Sequence, residues 1–333
     1  MRRWMMLSSL VFLSFALGVI PSGVQADTRR ALFVSSSGPT GDLWRIDLPS
    51  TFPAPGSQTM IKSGLTTPEG LACGPDARVY IAESGFFQSG VLGSRKISRI
   101  NQDGSDYTIV LDFDTTPELM KSGGPEGPNL MEDGPGTSGL MFFNTRPSGS
   151  FPHTGSWSAT RTGHNVRNVL LPFTTGSQSA EGTDFLISGP FNRNFLAVDD
   201  EIAGNGRVLR AAPPFSKPQS GTVFITGLDS PNGLSINPLT GNVYVTEDSG
   251  DIKIFTDAGA PTGTPLSTLG NEPRKIDFDD DGNLYVATTN GPVLMYGPAG
   301  GTPTVIGSVS NGNGVAVCRT PDHKVGIRSS RAM

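Results

Sequence analysis

Hydrophobic and polar residues alternate along this chain in runs too short for helices, with a period of two and turn residues between the runs. Residues 231–250 show the pattern most clearly. Leu234 and Ile236 alternate with smaller residues, 237–241 carries Asn, Pro, Thr and Gly, and 242–246 is β-branched and aromatic. This predicts a strand, a turn and a returning strand. The same order recurs at 68–84 and at 273–287, so an internal repeat governs any local reading of the chain.

Repeat starts fall at Pro68-Glu69-Gly70-Leu71, Pro125-Glu126-Gly127-Pro128, Ala180-Glu181-Gly182-Thr183, Pro231-Asn232-Gly233-Leu234, Pro273-Arg274-Lys275-Ile276 and Gly312-Asn313-Gly314-Val315. The steps between them shorten from 57 residues to 39, close to the ~40–50 of a propeller blade. Six starts predict an all-β fold, a six-bladed β-propeller with four-stranded antiparallel blades. The last start has room for one strand, 315–318. At the other end, 31–36, 42–47 and 58–62 read as three strands with no repeat start before them. The N- and C-terminal strands therefore complete one blade, which closes the ring and removes an open edge. Residues 144–168 interrupt the regular spacing. They are rich in Ser, Thr and Gly, hold Phe151, His153, Trp157 and His164, and read as an insertion, either a lid or an unstructured segment.

Composition adds compartment and charge. Arg2 and Arg3, the apolar run 4–20 and Val24-Gln25-Ala26 read as a signal peptide over 1–26. That leaves the propeller at 27–318 and a basic tail at 319–333, and predicts a secreted or periplasmic protein. No later run is apolar for long enough to span a bilayer. Losing the two leader arginines takes the formal charge from −5 to about −7, which argues against nucleic acid as a partner. Cys73 and Cys318 lie in corresponding regions of two repeats. Export makes a disulfide feasible, two separate buried thiols are the alternative, and a pair of cysteines has no metal-site spacing.

The repeat also locates candidate chemistry. Each blade brings its second repeat residue to one rim of the central channel: Glu69, Glu126, Glu181, Asn232, Arg274 and Asn313. The second strand of each blade ends at the same rim, with Glu83, Asn144, Asp199, Asp200, Glu247, Asp248, Thr289 and Asn290. Two sets of polar side chains converging on one mouth mark the default binding site, for a small molecule or a protein partner. Phe86, Phe87 and Trp157 are candidates to line it. Asp277 to Gly282 has the acidic start of a calcium loop, but its twelfth position is Thr288, so it reads as a hairpin turn. The three histidines lie outside the repeat positions, and neither Ser84 nor Ser249 sits in a nucleophile elbow.

The Pro-Glu-Gly and Pro-Asn-Gly starts, the Asp-Gly turn and the Val-Tyr-Ile-Ala and Leu-Tyr-Val-Ala strands resemble the six-bladed propellers of the NHL-repeat and gluconolactonase, senescence-marker and luciferin-regenerating families. For gluconolactonase-like members the resemblance implies one divalent metal, calcium or zinc, at the mouth. Its ligands would be a Glu of a Glu-Gly motif, an Asn of an Asn-Gly motif and an Asp of the next blade's Asp-Gly motif. Glu69 and Asn232 match the first two, while the third position holds Arg274, whose guanidinium cannot ligate a cation. Two functions follow. One is an exported propeller that binds a small molecule or partner at the mouth. The other is a metal-dependent sugar-lactonase-like hydrolase with Glu69, Glu126, Glu181 and Asn232 as ligands or base. A lyase of the antibiotic-inactivating propeller type would need a histidine that the repeat does not place. Arg274 favours the first function, and is expected to pair with Glu69, Glu126 or Glu181 and fill the channel.

Overall fold

The computed structural model describes residues 30–38, 40–48, 56–85, 93–120, 122, 124–126, 128–130, 139–145, 155–170, 177–190, 192–201 and 205–319. The leader 1–26, Phe86, Phe87, Phe151, His153 and the tail after Arg319 lie outside the described residues. Among the described residues no helix is long and apolar enough to cross a membrane.

The strands run in chain order. The first three are β1 (Arg30–Ser36), β2 (Gly41–Leu48) and β3 (Gln58–Leu65). One sheet follows as β4 (Pro68–Cys73), β5 (Arg78–Glu83), β6 (Lys96–Asn101) and β7 (Thr108–Asp112). The next is β8 (Asn129–Leu130), β9 (Leu140–Thr145), β10 (Gly155–Thr160) and β11 (Arg167–Leu170). Then come β12 (Ser177–Phe185), β13 (Phe195–Glu201), β14 (Gly206–Ala211) and β15 (Thr222–Leu228). They are followed by β16 (Pro231–Ile236), β17 (Val243–Glu247), β18 (Asp251–Phe255) and β19 (Leu266–Ser267). The last full sheet is β20 (Pro273–Phe278), β21 (Leu284–Thr288), β22 (Pro292–Gly297) and β23 (Gly300–Ser308). β24 (Gly312–Arg319) pairs antiparallel with β1, so the sixth sheet has the order β24-β1-β2-β3. The six sheets form a six-bladed propeller, and both ends of the described chain build one blade.

The repeat dictates this geometry. In the 231–250 hairpin, the Asn237 side chain accepts hydrogen bonds from the backbone N–H groups of Leu239 (2.9 Å) and Thr240 (3.1 Å). Gly241 then supplies the left-handed φ of 74° that turns the chain into β17. Inner strands are buried on both faces, as in β16, while the outer β15 shows exposed positions such as Val223. One hydrophobic packet fills the space between each pair of neighbouring blades. For example, Leu186, Val198 and Ile225 meet Leu234, Val245 and Phe255 between the β12 and β16 blades.

Hydrogen bonds and one covalent link join successive inner strands. Asp184 of β12 accepts the backbone N–H of Ile236 in β16 at 2.8 Å, and Asp277 of β20 accepts that of Val317 in β24 at 2.8 Å. Between β24 and β4 the corresponding connection is the Cys73–Cys318 disulfide, with Cα atoms 5.4 Å apart. The 277–282 acidic run forms the β20–β21 turn. Asp279 holds Asn283 and Tyr285, and Arg30 pairs with Asp279 and Asp281 at 2.8 Å each.

Residues 144–168 differ from the insertion expected of them. The described part contains the end of β9, all of β10 and the start of β11, and Trp157 packs against the packet between the β4 and β8 blades, with its indole N–H donated to Thr145. Small hydroxyl side chains conceal the strands from a hydrophobicity pattern, because Ser156 and Ser158 stand where apolar residues would show the alternation. Trp157 therefore does not line the mouth.

Candidate functional site at the channel mouth

The second-strand set divides by strand alternation, because successive side chains leave a strand on opposite sides. Glu83, Asn144, Asp199 and Glu247 are buried and each is spent on structure. Glu83 accepts from Thr66 N–H (2.9 Å), Ser98 (2.7 Å) and Tyr107 (2.5 Å), and burial and the Glu83 charge push the Tyr107 phenol up. Glu247 holds Asp229 N–H at 2.7 Å and Lys253 at 2.8 Å. Asn144 bonds Ser156 and the Glu181 carbonyl, and Asp199 pairs with Arg207 at 2.7 Å. Asp200, Asp248 and Thr289, each next in sequence to a buried residue, remain at the mouth.

In the first-strand set two pairs join adjacent blades. Glu69 accepts from Ser84 at 3.1 Å and from the Asn313 amide of the adjacent blade. Asn232 donates to Asp248 and accepts from Arg274 of the next blade at 3.1 Å. Glu126 is fully buried, with its backbone N–H on the Asn144 carbonyl at 2.9 Å.

Arg274 corrects the sequence-based expectation. Its guanidinium does not reach Glu69, Glu126 or Glu181. It donates to Thr289 (2.9 Å), Asn232 (3.1 Å) and Glu272 (2.7 Å), lies 3.6 Å from Asp248, and leaves 30% of its side chain exposed. Its acidic partners come from its own strand approach and from the β17 end, so it sits at the rim and leaves the channel centre to another cation. That cation is Lys275, which the sequence reading passed over. Its ammonium reaches across the β16 blade to the Glu181 carboxylate of β12, and donates to the Asn232 main-chain carbonyl at 3.1 Å. The signal was present in the repeat: the third position is glycine in every blade but this one.

Asp200 stands apart electrostatically. Burial and the negative charges of Glu181 and Asp248 push its carboxyl up to about 7, with Lys275 opposing and Asp199 reinforcing the shift. Its Oδ1 is buried without a hydrogen-bond partner among the described residues. Burial also raises the Asp248 carboxyl, against the lowering effects of Arg274 and the Asn232 hydrogen bond.

The metal implied by the resemblance does not fit these donors. The Asn232 side-chain oxygen that would face a cation receives the Arg274 guanidinium, and Glu69 is engaged by Ser84 and Asn313. Among the described residues no three His, Cys, Asp or Glu side chains are grouped to hold a metal ion.

No protein-family model matches the sequence, and no curated protein matches it. Solved structures do. A protein of unknown function from Bacteroides caccae superposes with a TM-score of 0.57 at 12% identity, covering 88% of this chain and all of that one. A calcium-binding protein, regucalcin, from Agrobacterium tumefaciens matches with a TM-score of 0.49 at 12% identity over 71% of this chain and 72% of its own. At such identities the likeness is one of fold. The chain is a six-bladed β-propeller with four-stranded antiparallel blades.

Proposed function

We propose that this chain is an exported β-propeller that binds a small, hydroxyl-bearing polar molecule at the channel mouth. The observation that carries the reading is the arrangement of Arg274. Thr289, Asn232 and Glu272 fix its guanidinium from three sides while part of it stays exposed. A guanidinium has five N–H donors, so two remain for a ligand. Asp248 stands beside it as an acceptor, and Asp200 belongs to the same charge cluster. Fixed donors next to fixed acceptors suit a ligand with several hydroxyl groups. Export rests on the 1–26 leader pattern. Calorimetric titration with a panel of monosaccharides, aldonic acids and sugar lactones tests the reading. Binding should be lost in Arg274→Ala and weakened in Asp200→Asn, whereas a ligand that binds both variants as tightly as the wild type would place the site elsewhere.

One observation favours hydrolysis at the same mouth. A carboxyl near pH 7 is matched to accepting a proton from an attacking water. A pH-stat assay on sugar lactones, with Asp200→Asn as the comparison, separates turnover from binding alone.

A further inference from the structure

We propose that the Lys275 ammonium is the resident cation of this channel, seated in a cation site built by oxygen atoms of two neighbouring inner strands. The third repeat position is glycine in five blades and lysine only in the β20 blade. Packing explains the glycines: a Cβ on Gly182 would meet Leu234 N at 2.5 Å, one on Gly233 the Arg274 carbonyl at 2.4 Å, and one on Gly314 the Glu69 carbonyl at 2.9 Å. A long side chain in this column therefore lies against the innermost turn of the ring.

Lys275 uses that place to reach past β16 to β12. Its ammonium contacts a Glu181 carboxylate oxygen from β12 and the Asn232 carbonyl from β16, and only 8% of either charged side chain is exposed. A carboxylate and a main-chain carbonyl are the oxygen ligands that a hard cation selects, and a buried carboxylate requires a positive partner. Asp200 feels the same ammonium from the rim side, as the charge that opposes the rise of its own carboxyl. The site thus has the donors and the negative charge of a cation site, but its cation is tethered to the backbone. The misfit of the implied metal then has a second cause beyond Arg274. An inorganic ion at the centre would have to displace an ammonium that cannot diffuse away, so the mouth keeps its central positive charge whatever the free calcium concentration.

Two variants separate charge from space. Lys275→Gly restores the residue of the other five blades and vacates the site. Lys275→Met removes the charge and keeps the volume. Calcium titration by calorimetry should show no binding to the wild type and none to Lys275→Met. In Lys275→Gly it should show a new site with a dissociation constant on the order of 10⁻⁵–10⁻³ M, as for modest oxygen sites. Thermal melts of the wild type in EDTA and in millimolar calcium should coincide, while the Lys275→Gly melt should rise with calcium. A folded Lys275→Gly that gains no calcium site would overturn the proposal. Should that variant fail to fold, the wild type still decides: a calcium-dependent melt reversed by EDTA would show that the channel takes an inorganic ion despite the lysine.

Discussion

Removing the Cys73–Cys318 disulfide tests how the ring is held shut. The perturbation is Cys73→Ala with Cys318→Ala, which keeps both side chains apolar in the packet where Leu71, Ile81 and Ala316 meet. The bond closes a loop with a sequence separation of 245 residues. Loop-closure entropy for that length sets a ceiling of about 5.5 kcal/mol at 25 °C, because the cross-link removes conformations from the unfolded chain. Measured disulfides commonly deliver less than the ceiling, so the expected loss is about 2–5 kcal/mol. For a domain of this size that corresponds to roughly 3–8 °C in Tm. Urea unfolding of the oxidised wild type and of the variant measures the difference directly. The denaturant dependence should also steepen in the variant, since its unfolded chain exposes more surface. Either single replacement breaks the same bond, so each should cost nearly as much as the double. If wild type and double variant unfold at the same urea concentration, the disulfide does not constrain the ring and the reasoning fails.

Two further outcomes follow. Deleting 312–333 removes β24 from its position beside β1, so the whole propeller should lose cooperative unfolding in circular dichroism melts; a melt like that of the full chain would contradict closure by that strand. Asp200 titrates at about 7 folded, against 3.8 for a free aspartate, so between those pH values the folded state binds more protons than the unfolded one and stability falls as pH rises. Asp200→Asn should flatten that slope, leaving the variant stabler relative to wild type at pH 8 than at pH 4 by urea midpoint. Some slope should remain, because burial and the Asp184 charge push Asp277 up to about 7 as well.

The fold was legible because its information is local. The repeat starts recur six times, turn residues such as Asn237 and Gly241 mark period-two strands in the clearest copies, and a count of orphan strands at the two ends was enough to place β24 beside β1. The β8 blade was misread where serine replaced the apolar side of β10. The site was legible by position and not by partner. Glu69, Glu126, Glu181, Asn232, Arg274 and Asn313 came from the repeat, but the distance between blades decides who meets whom. Arg274 turns to Glu272, two residues away, and Lys275 reaches Glu181, 94 residues away in sequence. Strand alternation could have separated Asp199 from Asp200 and Glu247 from Asp248 in advance. The glycine column could have singled out Lys275, since a residue that departs from its own repeat is visible without any homologue.

The pairing of β1 with β24 has a consequence for how the chain can be cut. Arg30 lies opposite Arg319 in that sheet, so a short linker could join the two strands, and new termini could open in a loop between two other blades. Such a circular permutant would contain the same six sheets but would hold the β24 blade together through the backbone. The burden of closure would pass to whichever blade boundary was opened. The disulfide would then lie within the interior of the chain's order instead of guarding its ends, and the contribution of that bond would shrink with the shorter loop it enclosed.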